Sequence, residues 1–414
     1  MAGDKHETGN GENLSRSIST PMLAIYGLGT VLGAGIYVVI GDIIGQAGAL
    51  APFAFLLAAG AAAFTALSYA ELGARVPQSG GSAAFVAEGF GRDGLTWIAG
   101  WALIATGLVS AATITTGFVG YLGVFVEVSK WWAVPLLVGT LTFVAAVGVK
   151  QSAWFMGITT AAGVVGLLVV IFVAGGDLGA YPRAAEAALA QDGGWTAGVV
   201  AGSFLAFYAF IGFEDLVTLG EEAENAKRSL PIAIFFALIV ALGFYVITAA
   251  VAVTTLDPQM LSRSSAPLVD VIEARGGSGP LLGILSLFII VNGALAQIVM
   301  ASRVVHDLGR RRGGAPEWLA RLHQRTQTPL IATLIGGGIV TALALFFPTA
   351  TLASATSFII LAVFFAANWA LIQMKRQGHS VEDSVRTFPI VVPLCGLLSC
   401  AALLFGRVVL EGAP

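Results

Sequence analysis

Two segments of this chain place glycine where a long apolar run would otherwise wind without interruption. The first is Ile25 to Tyr37, with glycines at 27, 29, 33 and 35. The second is Phe207-Tyr-Ala-Phe-Ile-Gly-Phe-Glu-Asp215, where a glycine is followed by two adjacent acids. A glycine in a helix interior costs about 1 kcal/mol relative to alanine, and a carboxylate at the centre of a membrane helix costs at least ~2.5–3.5 kcal/mol. Close helix packing would account for the spacings Gly29/Gly33 and Gly41/Gly45, but packing does not call for acids. Interrupted helices do. Where a helix stops, the next one begins with free amide hydrogens and a positive dipole end, and the one before ends on free carbonyls. Glycine lets the bare backbone approach a ligand. Two such breaks facing each other could hold a carboxylate and an ammonium carried on one carbon, as in an α-amino acid.

The elements that position these residues are membrane spans. Of 414 residues, 57% are hydrophobic and only 11% are Asp, Glu, Lys or Arg, against roughly 25% charged in a soluble domain. A helix crosses ~30 Å of hydrocarbon in about 20 residues. Windows of that length fall near 21–45, 49–70, 95–126, 131–149, 152–174, 195–219, 230–255, 280–304, 329–348, 350–374 and 388–409, which makes eleven spans. Basic residues collect on the cytoplasmic side of a membrane. With the N-terminus inside, sixteen of the 21 Lys and Arg fall there. The expected topology is therefore eleven spans with a cytoplasmic N-terminus and an external C-terminus. Residues 1–20 read as a disordered cytoplasmic tail. Glycine-interrupted segments at corresponding places in two halves point to an inverted repeat with a site at the membrane midplane. The repeats would be 21–174 and 195–374, followed by an extra span at 388–409.

Other chemistries find little support. The histidines, His6, His306, His323 and His379, are scattered through the tail and the connections, and Cys395 and Cys400 share one apolar segment. No catalytic triad, metal site or disulfide framework follows, so an enzyme is not expected, and neither is a cofactor. The basic residues form short blocks between spans, which does not suit nucleic acid.

Several stretches resemble the amino acid–polyamine–organocation (APC) permeases. Gly27-Leu-Gly-Thr-Val-Leu-Gly-Ala-Gly-Ile-Tyr-Val38 is similar to their first span. Ser68-Tyr-Ala-Glu-Leu-Gly-Ala-Arg-Val-Pro-Gln-Ser-Gly-Gly-Ser82 is similar to the end of span two in the cationic amino acid transporter branch. Phe210 to Glu214, the pair Glu221 and Glu222, Asn225 to Pro231, Ala301-Ser-Arg303, Pro316 and Thr328-Pro329 follow in the family's order. The resemblance implies an all-α integral membrane fold, the LeuT-type five-plus-five inverted repeat, with one additional C-terminal span. It implies a permease carrying amino acids across a cell membrane, expected to be a bacterial inner membrane, by alternating access. A polyamine or other amine exchanger of the same fold, and a non-transporting membrane sensor, are the alternatives.

The resemblance also assigns roles. Gly33, Ala34, Gly35 and Ile36 would offer amides to the substrate carboxylate, and Phe210, Ile211, Gly212 and Phe213 would offer carbonyls to its amino group. Tyr208 would close the site from outside, or serve only as a packed aromatic. Glu214 would act in gating or proton response. Asp215, about 100° further round a helix, should face elsewhere. Asn292, Ser354 and Ser357 would line the pocket or bind helices together. Asp42, Glu71, Glu221, Glu222 and Arg303 read as solvated anchors near span ends. Spans three, six, eight and ten would select the side chain, cationic or small and neutral. Gly163 stands where some proton-coupled members have a lysine, and span eight has isolated Ser286 and Ser302 in place of the adjacent Ser/Thr pair of sodium-coupled relatives. Protons remain a coupling candidate through Glu214, beside exchange and facilitated diffusion. Eleven expected spans would leave out the twelfth that is common in the family, so the resemblance gives no oligomeric state.

Overall fold

A computed structural model describes residues 18–76, 81–148, 153–190, 195–219, 223–310, 314–378 and 385–412. Residues 1–17, most of the expected tail, and Glu221 and Glu222 lie outside the described residues. The described residues form eighteen α-helices. These are α1 (Thr20–Val31), α2 (Ala34–Ala47), α3 (Ala51–Arg75), α4 (Gly81–Phe90), α5 (Asp93–Leu122), α6 (Lys130–Val147), α7 (Ala153–Ala174), α8 (Tyr181–Leu189) and α9 (Trp195–Ala209). There follow α10 (Asp215–Thr218), α11 (Ala226–Thr255), α12 (Pro258–Arg263), α13 (Pro267–Glu273), α14 (Gly279–Arg310), α15 (Glu317–Ala320), α16 (Leu330–Phe346), α17 (Thr349–Arg376) and α18 (Val391–Gly412).

Helix covers each of the eleven segments read as spans, and two of them are interrupted: α1 and α2 share the first, α9 and α10 the sixth. Eight helical runs among the described residues are long and apolar enough to cross a bilayer. One of these, Thr20–Arg75, contains α1, α2 and α3, and the helices α9 and α16 are apolar but shorter. The backbone satisfies its own polar groups inside each helix, which hydrocarbon demands. Proline stands in the first turn of α1 and α3, where its missing N–H would have no helical partner anyway. The connections hold short helices that apolar windows do not detect, among them α12, whose N-cap Asp257 accepts the Gln259 N–H at 2.8 Å.

Helices from the first half of the chain pack against their counterparts in the second. The pairs are α2 with α9, α3 with α11, α5 with α14, and α6 with α16. The two interrupted segments therefore lie side by side in the interior, where Ile36, Tyr37, Phe207 and Phe210 are fully buried. The first described residues already pack against the second half of the chain. Ile18 pairs in parallel with Ala223, and its carbonyl accepts the Glu224 N–H at 3.1 Å.

One buried ionic cluster ties the last helix to this core. Glu71, wholly buried at the end of α3, accepts from Arg75 Nη2 and from Lys375 Nζ, each at 2.5 Å. Its second oxygen accepts the Phe388 N–H at 2.9 Å. Lys375 also donates to the Phe388 carbonyl at 2.7 Å. Burying a charge is tolerable only with such partners. Its place near a span end suggested a solvated anchor, but Glu71 is buried, and protein partners replace the water.

Candidate functional site

Helix α1 runs to Val31, and the Leu32 N–H still donates to Leu28 O at 2.8 Å. Gly33 then turns the chain, with φ −56° and ψ −152°, and α2 starts at Ala34 with no side chain capping it. The first amides of a helix have no partner within it, and the positive end of the dipole lies there. The start of α2 is thus a place for negative charge.

The second break is longer and is held differently. After α9 ends at Ala209, the Phe210 and Ile211 N–H groups donate to Phe207 O and Tyr208 O at 3.0 and 3.2 Å. The Gly212 N–H donates to Glu214 Oε2 at 2.8 Å, and the Gly212 carbonyl accepts the Thr30 hydroxyl at 3.1 Å. Gly212 has φ +125°, and a Cβ there would stand 2.8 Å from Thr30 O. Only glycine fits this turn. Between the two breaks sits the buried Tyr245 hydroxyl of α11, 2.5 Å from Val31 O and 2.8 Å from Ala209 O. It joins the carbonyl ends of both first-half helices.

A cavity of about 70 Å³ opens at this meeting point, several times the ~10–15 Å³ that one water needs. Gly33, Ala34 and Gly35 form one wall, and Tyr208, Ala209, Ile211 and Asp215 the facing one. Ser110 and Ile114 of α5, Met156, Thr159 and Thr160 of α7, and Asn292, Gly293 and Gln297 of α14 complete it. Tyr208, Ser110 and Ile114 are buried, and Tyr208 Oη meets Ser110 Oγ at 3.1 Å. Gly29, Thr30, Asp215 and Gln297 are part-exposed. Part of the wall is therefore open, and the part formed by Tyr208, Ser110 and Ile114 is closed.

Of the residues singled out in the sequence, Gly33, Ala34, Gly35, Tyr208 and Ile211 meet around this cavity. Ile36 does not line it, because it is buried on the far side of the first turn of α2. Phe210 packs edge-on against Phe55 and Tyr245, and Phe213 packs against Tyr69 and Phe364. Gly212 is held by Thr30 and Glu214. The carboxylate of Glu214 folds back to its own turn, and it is Asp215 that lies on the cavity wall. The two acids do face apart, as a helix wheel requires, but in the opposite sense to the expected one. Span ten contributes no lining residue. Ser357 of α17 is buried away from the cavity, and span five, through α7, lines it instead.

The polar groups on the wall beyond α2 include oxygens without partners. Asn292 Nδ2 donates to Thr159 Oγ1 at 3.3 Å, which leaves Asn292 Oδ1 unpaired, and Gln297 Oε1 is buried and unpaired as well. With Asp215, these put oxygen acceptors around the same cavity as the amide-bearing end of α2. Gln297 was missed in the sequence, though it lies five positions after Asn292 on the same apolar helix. Among the described residues no His, Cys, Asp and Glu group is arranged to hold a metal ion.

The family model described as amino acid permease matches residues 18–412. The chain belongs to the amino acid permease family. An uncharacterized transporter of Mycobacterium tuberculosis is 31% identical over 402 residues, covering 95% of this permease and 87% of the relative. Cationic amino acid transporter 4 of Homo sapiens is 29% identical over 399 residues, covering 90% of this permease and 62% of the longer human protein. Among solved structures, the substrate-bound outward-open state of a Na+-coupled sialic acid symporter matches with a TM-score of 0.62 at 10% identity, covering 96% of this permease and 90% of that chain. At that identity the likeness shows the fold alone. The permease is an all-α integral membrane protein with the LeuT-type architecture that the glycine layout suggested.

Proposed function

We propose that this permease moves α-amino acids across the cytoplasmic membrane by alternating access, with eleven spans and a cytoplasmic N-terminus. The single observation that carries the reading is the cavity between two broken helices, with uncapped amides of α2 on one wall and oxygen acceptors on the others. The substrate carboxylate sits at the amides of Ala34 and Gly35. The ammonium group is directed to the carbonyl end of α9 at Ala209, and Tyr208 closes the site on the external side. The acceptors Asp215, Asn292 Oδ1 and Gln297 Oε1 favour a cationic side chain over a small neutral one, in keeping with relatives named cationic amino acid transporters.

Gly212 and Glu214 act in this reading by shaping the second break, and Phe210 and Phe213 by packing it. Ile36 supports the first turn of α2. Asp215, the acid on the cavity wall, is the group through which a proton gradient would act. Uptake of labelled lysine, arginine, alanine and leucine into proteoliposomes tests the proposal, with imposed proton gradients and with preloaded substrate. Saturable uptake or exchange of the cationic pair is the expected result. Absence of both flux and exchange for all four would overturn it and favour a non-transporting sensor.

A further inference from the structure

Away from the central cavity, α6 and α16 leave an apolar groove of about 460 Å³ on the outer surface of the bundle. It runs along α6 from Pro135 to Val147 and along α16 from Leu330 to Thr341. At 1.5 Å per residue the α6 wall is about 18 Å long, close to one leaflet of a hydrocarbon core ~30 Å thick. Its floor is the buried Val138, Thr142 and Gly337, and Gly139 and Gly338 line it where they are exposed, so that an added Cβ at either would meet no atom within 4 Å. Phe143 and Leu334, which line it, are exposed. This is a channel of acyl-chain length, open sideways to lipid.

One end of the groove meets a connection rich in basic residues. The connection from Arg321 to Thr328 lies across it, with His323 and Thr326 among the lining residues. The loop is fastened to the end of α6 by Thr328 Oγ1, which donates to Ala146 O at 2.7 Å, and closed on itself by the His323 N–H on Thr328 O at 2.8 Å. Gln327 adopts φ +53° within it. Arg321, His323 and Arg325 are exposed there, and the stretch 321–328 has no acidic residue. In the proposed topology this is the cytoplasmic face, where basic pockets between spans take anionic headgroups.

We propose that this groove is a binding site for a single anionic phospholipid, with one acyl chain between α6 and α16 and the phosphate at Arg321 and Arg325. The full chain in mild detergent, mixed with equal amounts of phosphatidylglycerol and phosphatidylcholine of identical chains, tests it by native mass spectrometry. Phosphatidylglycerol should be retained at least fivefold over phosphatidylcholine. Gly139→Leu with Gly338→Leu fills the groove without a clash and should cut bound phosphatidylglycerol at least fivefold at an unchanged melting temperature. Arg321→Gln with Arg325→Gln, in an exposed loop, should bring phosphatidylglycerol down to the level of phosphatidylcholine. Equal retention of the two lipids by the unaltered protein would overturn the proposal, as would full retention in the glycine double variant. A dimer that the glycine double variant abolishes would also overturn it, and would assign the groove to a second copy.

Discussion

The two helix breaks are alike in sequence and unlike in physics. Both are glycine-bearing interruptions of apolar segments, yet at the first only Val31 O is held, by Tyr245, and the amides that open α2 have no capping side chain, whereas at the second the Phe210, Ile211 and Gly212 amides are all engaged. At Gly33 the chain turns in a single residue, and the start of α2 reaches the cavity with no side chain capping it. From Phe210 to Glu214 the turns are closed by internal hydrogen bonds, by Thr30 on the Gly212 carbonyl and by Glu214 on the Gly212 amide. An unwound segment is thus not a ligand site by virtue of being unwound. What matters is whether its donors and acceptors are already taken. The first break offers donors, and the second provides a rigid mount for the side chains of Tyr208 and Asp215.

The largest effect expected of this contrast is at Gly212. Gly212→Val forces a branched side chain into a positive-φ conformation, a cost of about 1–3 kcal/mol in backbone alone, and drives its Cβ onto Thr30 O. Uptake should be lost together with thermal stability in detergent. Normal melting of that variant would show that the second break is not locked. Ala34→Pro probes the first break. Proline suits the first position of a helix, and the extended ψ of Gly33 accommodates it, so the fold should melt normally while one amide donor disappears. Losing a hydrogen bond to a charged group costs about 1.5–3 kcal/mol, or roughly 10–100-fold in substrate affinity by tracer binding. Unaltered affinity would move the carboxylate elsewhere.

Much of this contrast could be anticipated from sequence, and its limits are instructive. The spans and both interruptions follow from hydropathy and glycine placement, because hydrocarbon leaves helix as the default and glycine as the exception. The assignment of Glu214 and Asp215 did not follow. A helix wheel gives the angle between two neighbours, but the direction of the pair is set by the turn at Gly212, which depends on Thr30, 182 residues away. Gln297 is likewise an ordinary polar residue until the packing of α14 against α5 turns it to the cavity.

Smaller effects sharpen the division of labour between the acids. Asp215→Asn should weaken uptake of lysine about threefold to tenfold, a moderate loss because the carboxylate is part-exposed and screened, and should leave leucine unaffected. An equal loss for both substrates would make Asp215 a general support of the site. Glu214→Gln retains an oxygen to accept the Gly212 N–H, so uptake should stay within about twofold with the same pH profile, whereas Glu214→Ala strands a buried amide at a cost of about 1–3 kcal/mol. A shifted pH profile in Glu214→Gln would restore to that residue the proton response first expected of it.

The cluster around Glu71 bears on how the permease could be shortened. The eleventh helical segment is outside both proposed repeats and looks dispensable on symmetry grounds. Yet the peptide that leads into it supplies Phe388, whose N–H and carbonyl complete the shell of an interior carboxylate and of the lysine beside it. Trimming the chain after α17 would remove two of those contacts at once and leave an under-solvated ion at the foot of α3. The appended helix is wired to the end of α3, and its removal should be felt as a loss of membrane-protein yield before any change in transport is measured.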